Sequence, residues 1–141
     1  MRLRLLAHTP DVEELIATAA LTTASRRTPH EIYERLRERA DKVEKVLRGI
    51  ILKHGTVLEH NRLVFLAEAD EREMLSTLLA NRFFEATRLG EGRWLLSCSL
   101  RTALSVLMSD ADVPEGLREG LSEALGEVAP TIWRRVSGGG S

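Results

Sequence analysis

Aromatic side chains are scarce in this chain: two tryptophans, one tyrosine and three phenylalanines make up only 4% of it. Leucine, valine, isoleucine and alanine must therefore fill any core, and a hydrophobic content of 43% supplies enough of them. Cysteine is almost missing. The single Cys98 excludes an internal disulfide and fits a reducing, cytoplasmic setting. An excess of one charge is also missing: 20 Lys and Arg face 21 Asp and Glu, for a net charge of −1. No global field then draws the chain to nucleic acid or to an anionic membrane. The arginines Arg26, Arg27, Arg35, Arg37 and Arg39 are interleaved with acids, which spoils a continuous basic face. Lysine is confined to Lys42, Lys45 and Lys53. No apolar run approaches the ~20 residues that span a bilayer. Met1 to His8 is too short and too charged for a signal peptide.

What is present is the material of one ordinary domain, residues 1–136, followed by a Gly/Ser-rich tail, 137–141, that reads as a flexible linker. Arg2 to Ala7 alternates basic and apolar residues as a half-buried strand does. Thr9-Pro10-Asp11 opens a helix with Val12, Leu15, Ile16 and Ala19 on one face, and Asp11 with Glu14 offers a capping box. Thr28-Pro29-His30-Glu31 is a second start signal, and the spacing predicts one long helix from Pro29 to His54. Acid-before-base pairs at four-residue spacing, Glu31–Arg35, Glu38–Lys42, Asp41–Lys45 and Glu44–Arg48, make its solvated face. Gly55 ends that helix in this reading. Leu63 to Ala67 reads as a second strand. Asp70 with Glu73 caps a helix carrying Met74, Leu75, Leu78, Leu79 and Phe83, broken by Leu89-Gly90-Glu91-Gly92. Trp94 to Cys98 is a third strand and Leu100 to Met108 a helix. Asp112-Val113-Pro114-Glu115 opens a last helix, which Gly116, Gly120 and Gly126 weaken by about 1 kcal/mol each where they are interior. Pro130 kinks or ends it. The fold class is α+β, a small and mainly antiparallel sheet covered by helices.

Three constellations bear on chemistry. His54, Glu59 and His60 gather between a helix end and a strand start, but a six-residue spacing across a turn is not that of a zinc pair. Cys98, inside an apolar run, has the setting of an inert core thiol. The junction Ser97-Cys98-Ser99-Leu100-Arg101-Thr102 carries a strand into a helix start. Backbone N–H groups there can hold an anion with help from Ser99 or Arg101; alternatively Ser99 simply caps the helix.

Several segments together resemble the flavin-dependent thymidylate synthase family. Ile51-Leu52-Lys53-His54-Gly55 followed by Val57-Leu58-Glu59-His60 is similar to its "LKHGH-x-S-x-LEH" segment, and Leu63-Val64-Phe65 to the strand after it. The opening from Leu3 to Ala20 resembles the family's first strand and helix. Arg93 to Arg101 resembles the run leading into "N-[AL]-R", with Ser99 where the family has asparagine. The resemblance implies an α+β homo-oligomer, dimer or tetramer, with FAD between subunits. It also implies FAD contacts for Thr56, Glu59, Ser99 and Arg101. The family's R-H-R-x-x-S-x-x-x-x-S-x-R-Y signature has no match. In its nearest frame, Asn81 to Trp94, only Arg93 keeps its type. The expectation is a shortened, divergent member that binds FAD or another nucleotide and does not methylate dUMP. The alternative is a non-catalytic homo-oligomeric scaffold, or an interaction subunit of a larger protein assembly, that reuses the fold.

Overall fold

The computed structural model describes residues 1–22, 24–50 and 55–138. The element order is β1 (Arg2–His8), α1 (Val12–Thr22), α2 (Pro29–Arg37), α3 (Ala40–Ile50), a 3-10 segment (Gly55–Glu59), β2 (Leu63–Glu68), α4 (Glu71–Ala80), β3 (Glu85–Gly90), β4 (Arg93–Cys98), α5 (Leu100–Leu107), α6 (Glu115–Val128) and α7 (Pro130–Ser137). The four strands form one antiparallel sheet in the order β1-β2-β4-β3. Leu63, Phe65, Ala67, Leu96 and Cys98 are fully buried, while Val64, Leu66, Leu95 and Ser97, one residue out of step with them, are only half-buried. The period of two thus sends one face of the sheet into the core. Ile16 of α1, Leu100 and Leu104 of α5, and Leu117, Leu121 and Leu125 of α6 join these strands in one hydrophobic cluster. The α+β expectation holds at this level.

Capping residues do their expected work at three starts. Thr28 Oγ1 accepts from Glu31 N at 3.3 Å with Pro29 in the first turn of α2. Asp70 and Glu73 exchange both bonds of a capping box at α4. Ser99 caps α5. At Asp11 the outcome differs from the expected capping box. Asp11 has φ 52°, and its carboxylate accepts from Tyr33 Oη at 2.7 Å and pairs with Arg37 Nε at 3.3 Å. It staples α1 to α2 from the preceding turn.

Two further expectations need correction. The long helix from Pro29 is two helices, broken at Glu38–Arg39. Ile32 and Leu36 are buried on α2, and Val43 and Leu47 on α3. The intervening Arg37-Glu38-Arg39-Ala40-Asp41 has no large apolar side chain to hold a straight rod onto α1, so the chain turns between the two anchoring pairs. The supposed last turn with Lys53 and His54 lies outside the described residues. Of the four pairs expected on this face, Glu44–Arg48 closes, at 2.6 Å, whereas Arg39 turns to Asp41 and Arg37 to Asp11 and Glu34.

The second correction is a missed strand. The helix expected to reach Phe83 ends at Ala80, and Glu85–Gly90 pairs with β4. Asn81 leaves helical geometry at φ −156°, ψ 122°, and its Oδ1 accepts from Phe83 N at 2.9 Å. Gly92 closes the β3–β4 hairpin at φ 70°. β3 is an edge strand whose residues are mostly exposed, so it carries little apolar alternation.

α6 meets β1 through its glycines. A Cβ built on Gly116 would overlap the Met1 carbonyl, and one on Gly120 would lie 2.5 Å from Leu3 Cβ. The helix passes this close because nothing projects there. The Met1 ammonium pairs with Glu73 Oε2 at 2.6 Å, which fixes the start of β1 against α4.

Candidate functional site

Three of the sequence-predicted residues, Glu59, Ser99 and Arg101, meet near the end of β4. Asn61, between the 3-10 segment and β2, organises the region. Its Oδ1 accepts from Leu100 N at 2.7 Å and its Nδ2 donates to the Leu58 carbonyl at 2.9 Å. Ser99, 8% exposed, accepts from Thr102 N at 3.3 Å. Two amides in the first turn of α5 are therefore already satisfied by side chains, and the capping alternative for Ser99 is the one realised.

Glu59 Oε1 and Arg101 Nη1 pair at 3.1 Å, both about half exposed. Gly55 lies beneath this arginine, where a Cβ would come to 3.0 Å of the guanidinium. Thr56 is exposed, three residues before Glu59 on the 3-10 segment. Glu59 and Ser99 line one cleft of about 220 Å³; Thr56 and Arg101 are not part of that lining, and Arg101 reaches its margin through the pair with Glu59.

Four residues of this cleft had not been singled out from sequence: Arg62, Arg82, Phe83 and Glu85. Arg62 Nη2 donates to Ser97 Oγ at 3.1 Å and pairs with Glu85 Oε2 at 2.9 Å. Arg82 stacks over the Phe83 ring at 4.9 Å and has no carboxylate within ion-pair distance among the described residues. Glu85 escaped notice because its strand did. Arg82 fell inside the frame nearest the missing signature, but at a histidine position. Arg93, which kept its type in that frame, stands at the opposite end of β4, roughly 17 Å along the strand from the cleft. Arg62 and Arg82 line the cleft and Arg101 adds a third guanidinium at its margin through its pair with Glu59, so three cations face the two glutamates Glu59 and Glu85. That excess, next to the Ser99 and Thr102 hydroxyls and an aromatic face, suits an anion attached to a flat group.

The other candidates sort quickly. Burial pushes the Cys98 thiol up to about 12, so it stays protonated and inert. Burial also raises the Glu13 carboxyl, against hydrogen bonds from Ile132 and Thr131 that favour its charge. Glu13 Oε2 accepts from Ile132 N at 2.9 Å, so this α1 residue serves the first turn of α7. His60 is exposed, and His54 lies outside the described residues. Among the described residues no group of three or more His, Cys, Asp and Glu is placed to hold a metal, and no helix is long and apolar enough to cross a membrane. No protein-family model matches the chain, and no curated protein matches it.

Proposed function

We propose that the chain is a divergent relative of flavin-dependent thymidylate synthases that binds a flavin or another nucleotide at the β4–α5 cleft and does not methylate dUMP. The observation that carries this reading is Arg82: a guanidinium with no carboxylate partner among the described residues, stacked on the Phe83 ring and sharing the cleft lining with Arg62. Arg82, Arg101 and Ser99 would hold a phosphate, and Phe83 offers a surface for the ring system. A bound flavin brings its own redox chemistry. A volume of about 220 Å³ is below the ~300–1,000 Å³ usual for ligand clefts, so one chain would hold only part of FAD. A second copy would cover the rest. The place of Arg93 far from the cleft supports the loss of dUMP methylation, since a dianionic phosphate needs several fixed guanidiniums.

A titration of FAD, with ADP and riboflavin beside it, tests the reading through quenching of flavin fluorescence and, for ADP, through heat of binding. FAD and ADP should bind and riboflavin should not, and Arg82→Ala should weaken FAD at least about fivefold, as loss of one charge-assisted bond does. Absence of FAD and ADP binding at millimolar concentration would sink it.

The scaffold reading has its own support. Leu75 and Leu79, one turn apart on α4, are 56% and 77% exposed, and Phe83 beyond the helix is 56% exposed. Solution mass tests it: a dimer or tetramer that Leu75→Glu with Leu79→Glu converts to monomer supports self-association through α4. A wild-type monomer would remove both the scaffold and the shared site.

A further inference from the structure

A larger cleft lies elsewhere. It has a volume of about 480 Å³ and is lined by β1 from Arg2 to Leu5, by Leu66 and Glu68 of the neighbouring β2, and by α6 as its far wall. β1 pairs with β2 on one side only, and none of its outward amide or carbonyl groups has a backbone partner among the described residues. Arg2 and Arg4 stand on the strand side of the cleft with Glu68 near them, and Glu123 and Glu127, one helical turn apart, stand on α6. All five side chains are exposed, and none has an ion-pair or side-chain hydrogen-bond partner among the described residues. α6 touches β1 at Gly116 and Gly120, and Ala124 carries the cleft wall onward from that seam.

We infer that this cleft docks an extended peptide segment of a partner protein, added as a strand to the β1 edge, with acidic side chains toward Arg2 and Arg4 and basic ones toward Glu123 and Glu127. Strand addition supplies the unmet backbone bonds of β1, and side chains that alternate along the added strand meet the two walls in turn. Charge sets the alternation: Arg2 and Arg4 outnumber Glu68 on the strand wall and α6 presents only carboxylates, which selects a segment in which acid and base alternate. A second copy of β1 fits poorly. Continuing the sheet with it places Arg2 and Arg4 of both copies on one face and brings two α6 helices with like carboxylates together.

A capped hexapeptide of strictly alternating glutamate and lysine is the probe, followed by amide chemical shifts of the full chain. Shifts concentrated on Arg4, Leu5 and Ala124, and a dissociation constant below a millimolar, are expected. A block peptide, three glutamates then three lysines, and an alternating peptide N-methylated at every second amide should each bind at least about tenfold more weakly. Arg4→Glu and Glu123→Lys should each cost about two- to fivefold, in line with exposed charge pairs, with shifts elsewhere unchanged. Equal binding of the block or the N-methylated peptide overturns strand addition. So does an absence of β1 shifts at millimolar peptide. Edge shifts that follow protein concentration alone, without peptide, overturn the peptide occupant in favour of a second copy.

Discussion

The α6–β1 seam and the β4–α5 cleft are built on opposite logics. At the seam, two glycines let a helix backbone come against the Met1 carbonyl and the Leu3 side chain, and Leu117 and Leu121 beside them are fully buried. The contacts at these two glycines are uncharged, and at Gly116 the neighbour is backbone, which cannot shift without moving a whole element. At the cleft the partners are long side chains, half exposed and joined by ion pairs at 2.9 and 3.1 Å. Those can rearrange in water at little cost. Stability should therefore be concentrated at the seam and binding at the cleft, and substitutions in the two places should fail differently.

The largest effect belongs to the seam. Gly116→Ala adds a methyl group where the Met1 carbonyl stands, so the backbone of β1 or α6 must move. Overpacking of that kind costs about 1–3 kcal/mol or more. Gly126→Ala is the internal contrast. Its new Cβ would sit 3.7 Å from Trp133 Cδ1, an ordinary contact, so the helix propensity gain of up to ~1 kcal/mol should survive. Urea denaturation should thus show opposite signs for two Gly→Ala changes in one helix. Two stabilised variants would mean that the seam is not tight, and would erase the contrast.

At the cleft itself stands Asn61, whose side chain serves both Leu100 N and the Leu58 carbonyl. Asn61→Ala should destabilise by about 1–3 kcal/mol, because it strands polar groups that the fold has shielded. It should also loosen the cleft, seen as faster amide exchange at Leu100 and Arg101. A stability change without that local exchange would place Asn61 with the core and not with the site.

What could be read from the sequence follows the same division. The helix starts at Thr28, Asp70 and Ser99 were legible because a cap is a local event between residues three apart. The β2 and β4 strands were legible because one of their faces is buried and shows as apolar periodicity. β3 was not: as an edge strand it buries little, and Glu85 and Arg88 read as helix surface. The break at Glu38 was hidden because only packing on α1 creates it. A likeness of short segments pointed to Glu59 and Ser99, which line the cleft, and to Arg101 at its margin, and also to Thr56, which stands apart from it. Arg62 and Arg82 were not legible, since their roles depend on β3 lying beside β4. The seam glycines read as defects, because no local signal says that another strand passes there.

A smaller effect is expected from the ion pair itself. Glu59→Ala and Arg101→Ala should each change stability by less than about 1 kcal/mol, and a double-mutant cycle should give a coupling of similar size. If cleft and seam differ as argued, either variant leaves the urea midpoint nearly unmoved while FAD binding falls. A large loss of stability from Arg101→Ala would mean that Gly55 and the 3-10 segment depend on its guanidinium for packing.

The smallest effect is one of pH, at a site that belongs to neither region. Burial raises the Glu13 carboxyl above its ordinary 4.5. A raised carboxyl favours its protonated form in the folded state, so its charge at neutral pH costs stability, and that cost is relieved as pH falls through the raised value toward 4.5. The Met1 ammonium lowers the Glu73 carboxyl, and its contribution disappears only as pH falls below 4.5. The two groups therefore act in separate windows. Glu13→Gln keeps an acceptor for Ile132 N and removes the charge. Relative to this variant, the unaltered chain should gain stability between neutral pH and about 4.5, measured as urea midpoints at several pH values. A difference between the two proteins that stays flat over that window would show that Glu13 titrates as if in water and that its contact with α7 does not bury it.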